Sequence, residues 1–385
     1  MRYRSASSIS TDAYLAGLEI GESLKEISPE TVIFFASISY ERNFAELFDG
    51  MRDGLGSEDA VLFGGTGDGF YETSQTANYG ASALGIHSGG KIRWSAASAV
   101  GVEEDSFLAA RSCALAAAAG TGSPPTFAFV LADGTKADGS GIVAGVESVI
   151  GAPFFGGLTG DDRKFKRSRV LLNGAELENA VAILAASGEI PFAVNAASGW
   201  TPIGAPGNIE DGESGTIRRI NGMTAQAFMK EQLGKPLGEA DLGIVPLAAY
   251  RQADDEYFFL RTPSHLDRES GAIATFGSIE AGTAVRVCTA TRPDVLDGVL
   301  RAAEGVEARG FTPAAALVVS CAGRKWLLSD SGKEEVDLVL SAFGGKIPMA
   351  GFPSFGEISP FRKPGGAYTQ TFFHNVTFVV CLLGE

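Results

Sequence analysis

An acid set directly after a glycine at the end of an apolar strand is the spacing with the most chemical content in this chain. It occurs as Gly67-Asp68, Gly160-Asp161 and Gly356-Glu357, each closing a similar stretch: TVIFFASIS…AVLFGGTGDGF, TFAFVLADG…PFFGGLTGDD and AALVVSCAGR…PMAGFPSFGEI. Glycine lets bare backbone approach a ligand, and the carboxylate supplies an acceptor. Cys321 follows an apolar run with Arg324 close behind, which fits either a nucleophilic thiolate or a small buried hydrophobe. Arg324 could hold an anion through a forked bond while Glu357 accepts from an amine or hydroxyl, which suits an amino-acid-like ligand; an internal ion pair is the competing account. Of the three histidines, His87 falls in a turn and His265 in a polar loop. His374 alternates with Phe372, Val376, Phe378 and Val380 on one strand face, as a hydrogen-bonded core histidine or a cofactor contact would.

Several familiar chemistries fail on spacing. GGTGDGF has Phe70 where the dinucleotide fingerprint needs its third glycine, and Gly85 to Lys91 is followed by Ile92 where a P-loop needs a hydroxyl. There is no G-x-S-x-G elbow and no H-E-x-x-H pair. Asp133 to Gly139 resembles part of a calcium loop without its closing glutamate. No catalytic set is assembled, so thiol chemistry at Cys321 is the one enzyme alternative.

Positioning these residues requires repeated elements. Helical periodicity covers Asp12 to Glu26, Ser106 to Ala119 and Pro293 to Val306, and again Phe44 to Leu55, Ile142 to Ile150 and Glu334 to Phe343. Strands fall at Val32 to Ala36, Phe127 to Leu131 and Ala315 to Ser320, and hairpins are expected at 83–100 and 180–197. Thr369 to Leu383 reads as one long strand. The expected fold is α/β: two domains of layered helices on mixed β-sheets, built from helix-strand-helix-strand-hairpin units at about 12–101, 105–199 and 283–385. Thr201 to Gly215, rich in Pro, Gly and acids, is the expected boundary and gives domains 1–205 and 206–385. Periodicity does not place 216–283.

With 385 residues and 45% hydrophobic content the chain can fill about two cores. Its net charge of -15 opposes nucleic acid and anionic membrane surfaces. The four scattered cysteines fit a reducing cytoplasm, and no apolar run reaches the roughly 18 residues of a membrane span.

Val319 to Arg324, Gly351 to Ile358 and His374 to Phe378, with Phe155 to Asp162, Gly199 to Gly204 and Ile220 to Ala225, make the chain similar to the FIST family of bacterial sensory proteins. The resemblance implies an N and a C domain that sense a small ligand and report to a histidine kinase or a cyclic-di-GMP enzyme. It also implies two ligand types: amino-acid-like metabolites, or haem that takes nitric oxide; if haem is bound, His374 is the expected residue for iron on its strand position alone. The expected ligand set on these motifs is Arg324, Glu357, Cys321, Asn375, Asp68, Thr159, Asp161 and Asp162.

Overall fold

Three six-stranded sheets of one topology carry most of the chain. The structure, a computed structural model, describes residues 1–385 except 252–254, 308, 309, 330, 331 and 346. Each sheet centres on two parallel strands: Thr31–Ser37 beside Val61–Gly67, Phe127–Ala132 beside Phe154–Leu158, and Pro313–Cys321 beside Met349–Ser354. Parallel neighbours need a crossover, and the helices Phe44–Leu55, Gly139–Glu147 and Lys333–Ala342 provide it. Thr31–Ser37 and Phe127–Ala132 are buried at every position, which is why they read as unbroken apolar runs. The sheets' inner faces share one core, in which Phe35 of the first sheet stacks on Phe352 of the third at 4.5 Å and meets Phe129 of the second edge-on at 6.2 Å.

The expected hairpins do not form. Ala81–His87 stays in the first sheet, against Thr31–Ser37, while Ile92–Val100 crosses to the second sheet and pairs with Ala180–Gly188. In the same way Phe192–Ala197 leaves Ala180–Gly188 and pairs with Phe378–Gly384 in the third sheet. Alternation identifies a strand but not its partner, and here the partner lies in the next unit. The true hairpins follow the Gly-acid turns, at Phe70–Glu72 with Thr76–Ala77, Val170–Leu172 with Ala175–Leu177, and Glu357–Arg362 with Tyr368–His374. Each extends a neighbour's sheet: the first unit's hairpin joins the third sheet, the second's joins the first, and the third's joins the second. The exchange closes the three units into a ring.

Thr369 to Leu383 is likewise two strands, one in the second sheet and one in the third, separated at Val376 with φ 50°. His374 and Phe378 therefore belong to different sheets. Register also refines the repeat. Gly64, Gly156 and Gly351 lie opposite Phe34, Val130 and Val318, where an added Cβ would sit 2.3, 1.8 and 2.1 Å from the facing carbonyl oxygens. Counted from these equivalent glycines, Asp68, Asp161 and Glu357 stand four, five and six residues on, so the acids do not occupy one shared point.

Residues 201–289 form a fourth sheet of eight strands around Ile209, Ile217, Phe228 and Val285, with the helix Ala225–Leu233 upon it. Thr201 to Gly215 is not a linker: Thr201–Glu213 is a strand pairing with Ala284–Thr289 and Thr216–Ile220, and position 205/206 falls inside it. Only Gly207 and Ile209 of this strand are buried, which explains its loop-like composition.

Candidate functional site

A cavity of about 730 Å3 opens where the strand ends of the second and third units meet the fourth sheet. Ligand pockets commonly measure about 300–1,000 Å3. Gly134 and Thr135 enter it after Phe127–Ala132, Cys321 to Gly323 and Trp326 after Pro313–Cys321, and Ser354 and Phe355 after Met349–Ser354. Leu242, Thr262, Ser264 and Phe276 come from the fourth sheet and its connections. Arg163 and Phe165 reach in from the loop after Gly160. Placement beyond the carboxyl ends of parallel strands is the usual location for ligand sites in α/β sheets.

The loop is held in a costly shape. Asp162, Arg163 and Phe165 have φ of 58°, 57° and 50°, a region that L side chains rarely occupy. Two buried carboxylates over-determine it. Asp161 accepts from the backbone N–H groups of Phe165 at 2.8 Å, Lys166 at 2.8 Å and Arg167 at 3.0 Å, and Asp68 accepts from Arg163 N–H at 3.3 Å. Phe165 then stacks on Phe355 at 4.4 Å and on Phe276 at 5.6 Å, and the Arg163 guanidinium lies over Trp326.

Behind the wall, Glu357 accepts from Ser354 Oγ at 2.6 Å, Thr377 N–H at 3.0 Å and the Cys321 thiol. Complete burial outweighs these donors and pushes the carboxyl up to about 8. Burial, and then the charge of Glu357, push the Cys321 thiol well above its ordinary range. A neutral buried thiol is a poor nucleophile, and Arg324, expected to activate it, is engaged elsewhere. Arg324 Nε meets Glu335 at 2.9 Å, Nη2 donates to Val295 O at 2.8 Å, and Nη1 donates to Ser198 O. Glu335 also accepts from Ser320 Oγ at 2.8 Å. Arg324 is thus the cation of an internal ion pair, with Glu335 as its partner and not Glu357.

Of the other expected ligand residues, Asn375 lines the cavity, but its Oδ1 accepts Thr262 N–H at 3.0 Å and its Nδ2 donates to His374 O at 3.1 Å. Thr159 is buried in a chain of hydroxyls, donating to Ser168 Oγ at 2.8 Å, which donates to Asp133 at 2.7 Å. Asp162 faces Lys164 at 3.7 Å on the loop. Asp68 is 2% exposed at the junction of all three units, where its N–H donates to Pro353 O, Lys325 Nζ donates to its carbonyl, and Oδ2 has no hydrogen-bond partner among the described residues. Burial, opposed by Lys325, pushes its carboxyl up to about 7. Sequence spacing missed Phe165, Phe276, Phe355 and Trp326, which give the cavity its aromatic walls. The sequence offered only the placing of one phenylalanine among basic residues, Lys164-Phe165-Lys166-Arg167, and nothing that pointed to its stacking partners.

His374 lies away from this cavity. It is 1% exposed, its Nε2 is 3.1 Å from Ser359 O, and Phe361 packs edge-on against it at 5.1 Å. Burial pushes the imidazole down to about 3, so it is neutral. The adjoining cavity measures about 190 Å3, below the roughly 300 Å3 where ligand pockets begin. A macrocycle does not fit in a cavity of this size at His374; the contact of Nε2 with the Ser359 carbonyl is one that a ligating histidine also makes through its second nitrogen, so the space and not the hydrogen bond decides the point.

The fold and site define a ring of repeated α/β units with a β-rich insertion that completes a ligand-sized cavity. The chain belongs to the FIST family: the FIST N domain matches residues 30–223 and the FIST C domain residues 217–360. FIST domains are associated with small-ligand sensing in signal transduction. A comparison with curated proteins finds no match. Among solved structures, cyanuric acid hydrolase from A. caulinodans is 10% identical over 100% of this chain and 99% of its own, with a TM-score of 0.38. PurLQS from Thermotoga maritima is 10% identical over 99% of this chain and 72% of its own, with a TM-score of 0.21. At these values neither the fold nor the activity of those proteins transfers to this chain. Among the described residues, no helix is long and apolar enough to cross a membrane.

Proposed function

We propose that this chain is a small-ligand sensory protein whose ligand occupies the 730 Å3 cavity between the second unit, the third unit and the fourth sheet. The observation that carries the reading is the origin of the walls. Three separately built elements contribute to one cavity, so an occupant changes how they sit against one another, as a sensor requires. The amino-acid-like version loses its support, because Arg324 and Glu357 are both satisfied internally. The walls favour an amphipathic molecule with an apolar body. A histidine kinase or a cyclic-di-GMP enzyme as partner, and the cytoplasm as compartment, rest on the family resemblance and on composition. Nitric oxide sensing through haem at His374 is not part of this reading.

The test is thermal unfolding with a panel of small amphipathic compounds, using wild type and Ser264→Trp. Ser264 is a half-buried lining residue, and indole there would fill the cavity. A true ligand at one hundred times its dissociation constant stabilises by about 2.7 kcal/mol. That shift should appear in the wild type and vanish in the filled variant. Equal shifts in both proteins would place the ligand elsewhere.

A further inference from the structure

Phe165 is 50% exposed, yet its ring stacks on two aromatic side chains of the cavity wall, with interplanar angles of 23° to Phe355 and 24° to Phe276. Single exposed apolar side chains are ordinary, but this one lies flat on two wall aromatics and is carried by a strained loop, which ties its placement to the cavity. The ring covers flat aromatic surface that would otherwise face the cavity. The backbone around it is held in left-handed conformations by Asp161 and Asp68, and once the ring leaves, that strain opposes its return. With the ring in, the carboxylate bonds are made; a ring-out arrangement would give up that stacking and relieve the strain.

Resting on the proposed sensory site, we infer that its ligand is a small flat aromatic molecule that takes the place of the Phe165 ring against Phe355 and Phe276, and that release of the 162–167 loop is the signal. The displaced ring is the internal mimic of the ligand, which sets the ligand's shape: one or two fused rings, matching a side chain that already stacks there. Arg163 lies over Trp326 at 5.6 Å on the same loop, so an acidic group on the ring system would meet a guanidinium at the cavity rim. The output is the movement of Lys164, Lys166 and Arg167, which are exposed on a chain of net charge -15. A partner would read that movement as a local change in an otherwise acidic surface.

The experiment uses 8-anilinonaphthalene-1-sulfonate, a flat aromatic anion, as the probe. Trypsin reads the loop, because cleavage after Arg163, Lys164, Lys166 or Arg167 needs an opened backbone. In the full-length wild type, saturating probe should raise the rate of cleavage within 163–167 by about tenfold, because occupancy shifts the loop to its open form. Phe165→Ala, at a half-exposed site, should bind the probe about tenfold more tightly and be cleaved at one fast rate with or without it, because the competing ring is gone. Ser264→Trp should bind neither with high affinity nor with any change in cleavage. Equal affinity in wild type and Phe165→Ala, with cleavage unchanged or slowed by the probe, would overturn the displacement while leaving the cavity as the ligand site. Undiminished binding to Ser264→Trp would count against the cavity itself. Absence of binding to both wild type and Phe165→Ala would overturn the flat aromatic class, and the compound panel would then decide the cavity separately.

Discussion

Arg324 and Glu335 form an ion pair at 2.9 Å in which neither side chain reaches solvent. The pair ties the short helix Ala322–Leu327 to the crossover helix Lys333–Ala342, and Arg324 also reaches Ser198 and Val295, so it joins the second unit's end to the third. Breaking a buried pair from one side leaves an uncompensated charge. Arg324→Ala should cost about 3–5 kcal/mol, and Arg324→Met with Glu335→Leu should recover much of that, as read by urea unfolding. A single variant with unchanged stability would remove the structural role.

Asp68 and Glu357 set the pH dependence. Both carboxyls titrate higher in the folded chain than their ordinary values, at about 7 and about 8. Between the unfolded and folded values the native state holds the extra protons, so stability falls as pH rises. The contribution is complete below about pH 4, is lost progressively up to about pH 8, and is flat above that. Glu357→Gln, which keeps the shape, should flatten the upper part of this slope in denaturant midpoints measured from pH 5 to 9. An unchanged slope would mean that the carboxyl is ionised at neutral pH.

His374 has the opposite sign. Its folded value of about 3 lies below the unfolded one, so it withdraws stability as pH falls below about 6.5. The small cavity beside it also predicts a spectroscopic outcome. Protein expressed with supplied haem should show no Soret band that depends on His374, so wild type and His374→Ala give the same visible spectrum. A band present in wild type and lost in His374→Ala would restore the haem reading.

Cys321 should be inert as a thiol. At pH 8 in the native protein its alkylation by iodoacetamide should be at least about a hundredfold slower than in denaturant, because the thiolate is nearly absent. Rapid labelling of Cys321 in folded protein, located by peptide mapping, would return thiol chemistry to consideration.

The equivalence of Gly64, Gly156 and Gly351 predicts one shared mutational response. Alanine at any of them would press a Cβ into the facing carbonyl oxygen of Phe34, Val130 or Val318. Each substitution should cost about 1–3 kcal/mol as the strand pair shifts, measured by urea unfolding. A neutral Gly156→Ala, the tightest of the three, would break the equivalence.

What could be read in the sequence followed from local physics. Phe44–Leu55 has the expected bounds, Thr31–Ser37 is one residue longer than expected at each end and Phe127–Ala132 one residue longer at its second end, because helix periodicity and doubly buried strands both leave patterns within a few residues. Cys321 and Asn375, which the motifs single out, line the cavity. Arg324 misled because a charged residue at a strand end looks the same whether its partner is a ligand or Glu335. Ile92–Val100 and Phe192–Ala197 misled because alternation is blind to which sheet a strand joins. The Phe165 stack was beyond reach, since Phe276 and Phe355 are distant in sequence and meet it only after three elements have assembled.

The exchange of strands and hairpins around the ring governs how the chain can be made. The first sheet lacks its outer hairpin until residues 170–177 are available, and the third sheet takes one from residues 70–77, which precede it by more than two hundred positions. A growing chain leaving the ribosome can pair Thr31–Ser37 with Val61–Gly67 early, but that sheet keeps an unpaired edge until the second unit emerges, and the hairpin of Phe70–Glu72 with Thr76–Ala77 has no sheet to join until Met349–Ser354 has been synthesised. Such long waits favour slow, late consolidation and expose the nascent protein to aggregation. They also make truncation unforgiving: removing the first or the second unit strips pairing strands from both of the others, and removing the third takes the outer hairpin from the second sheet.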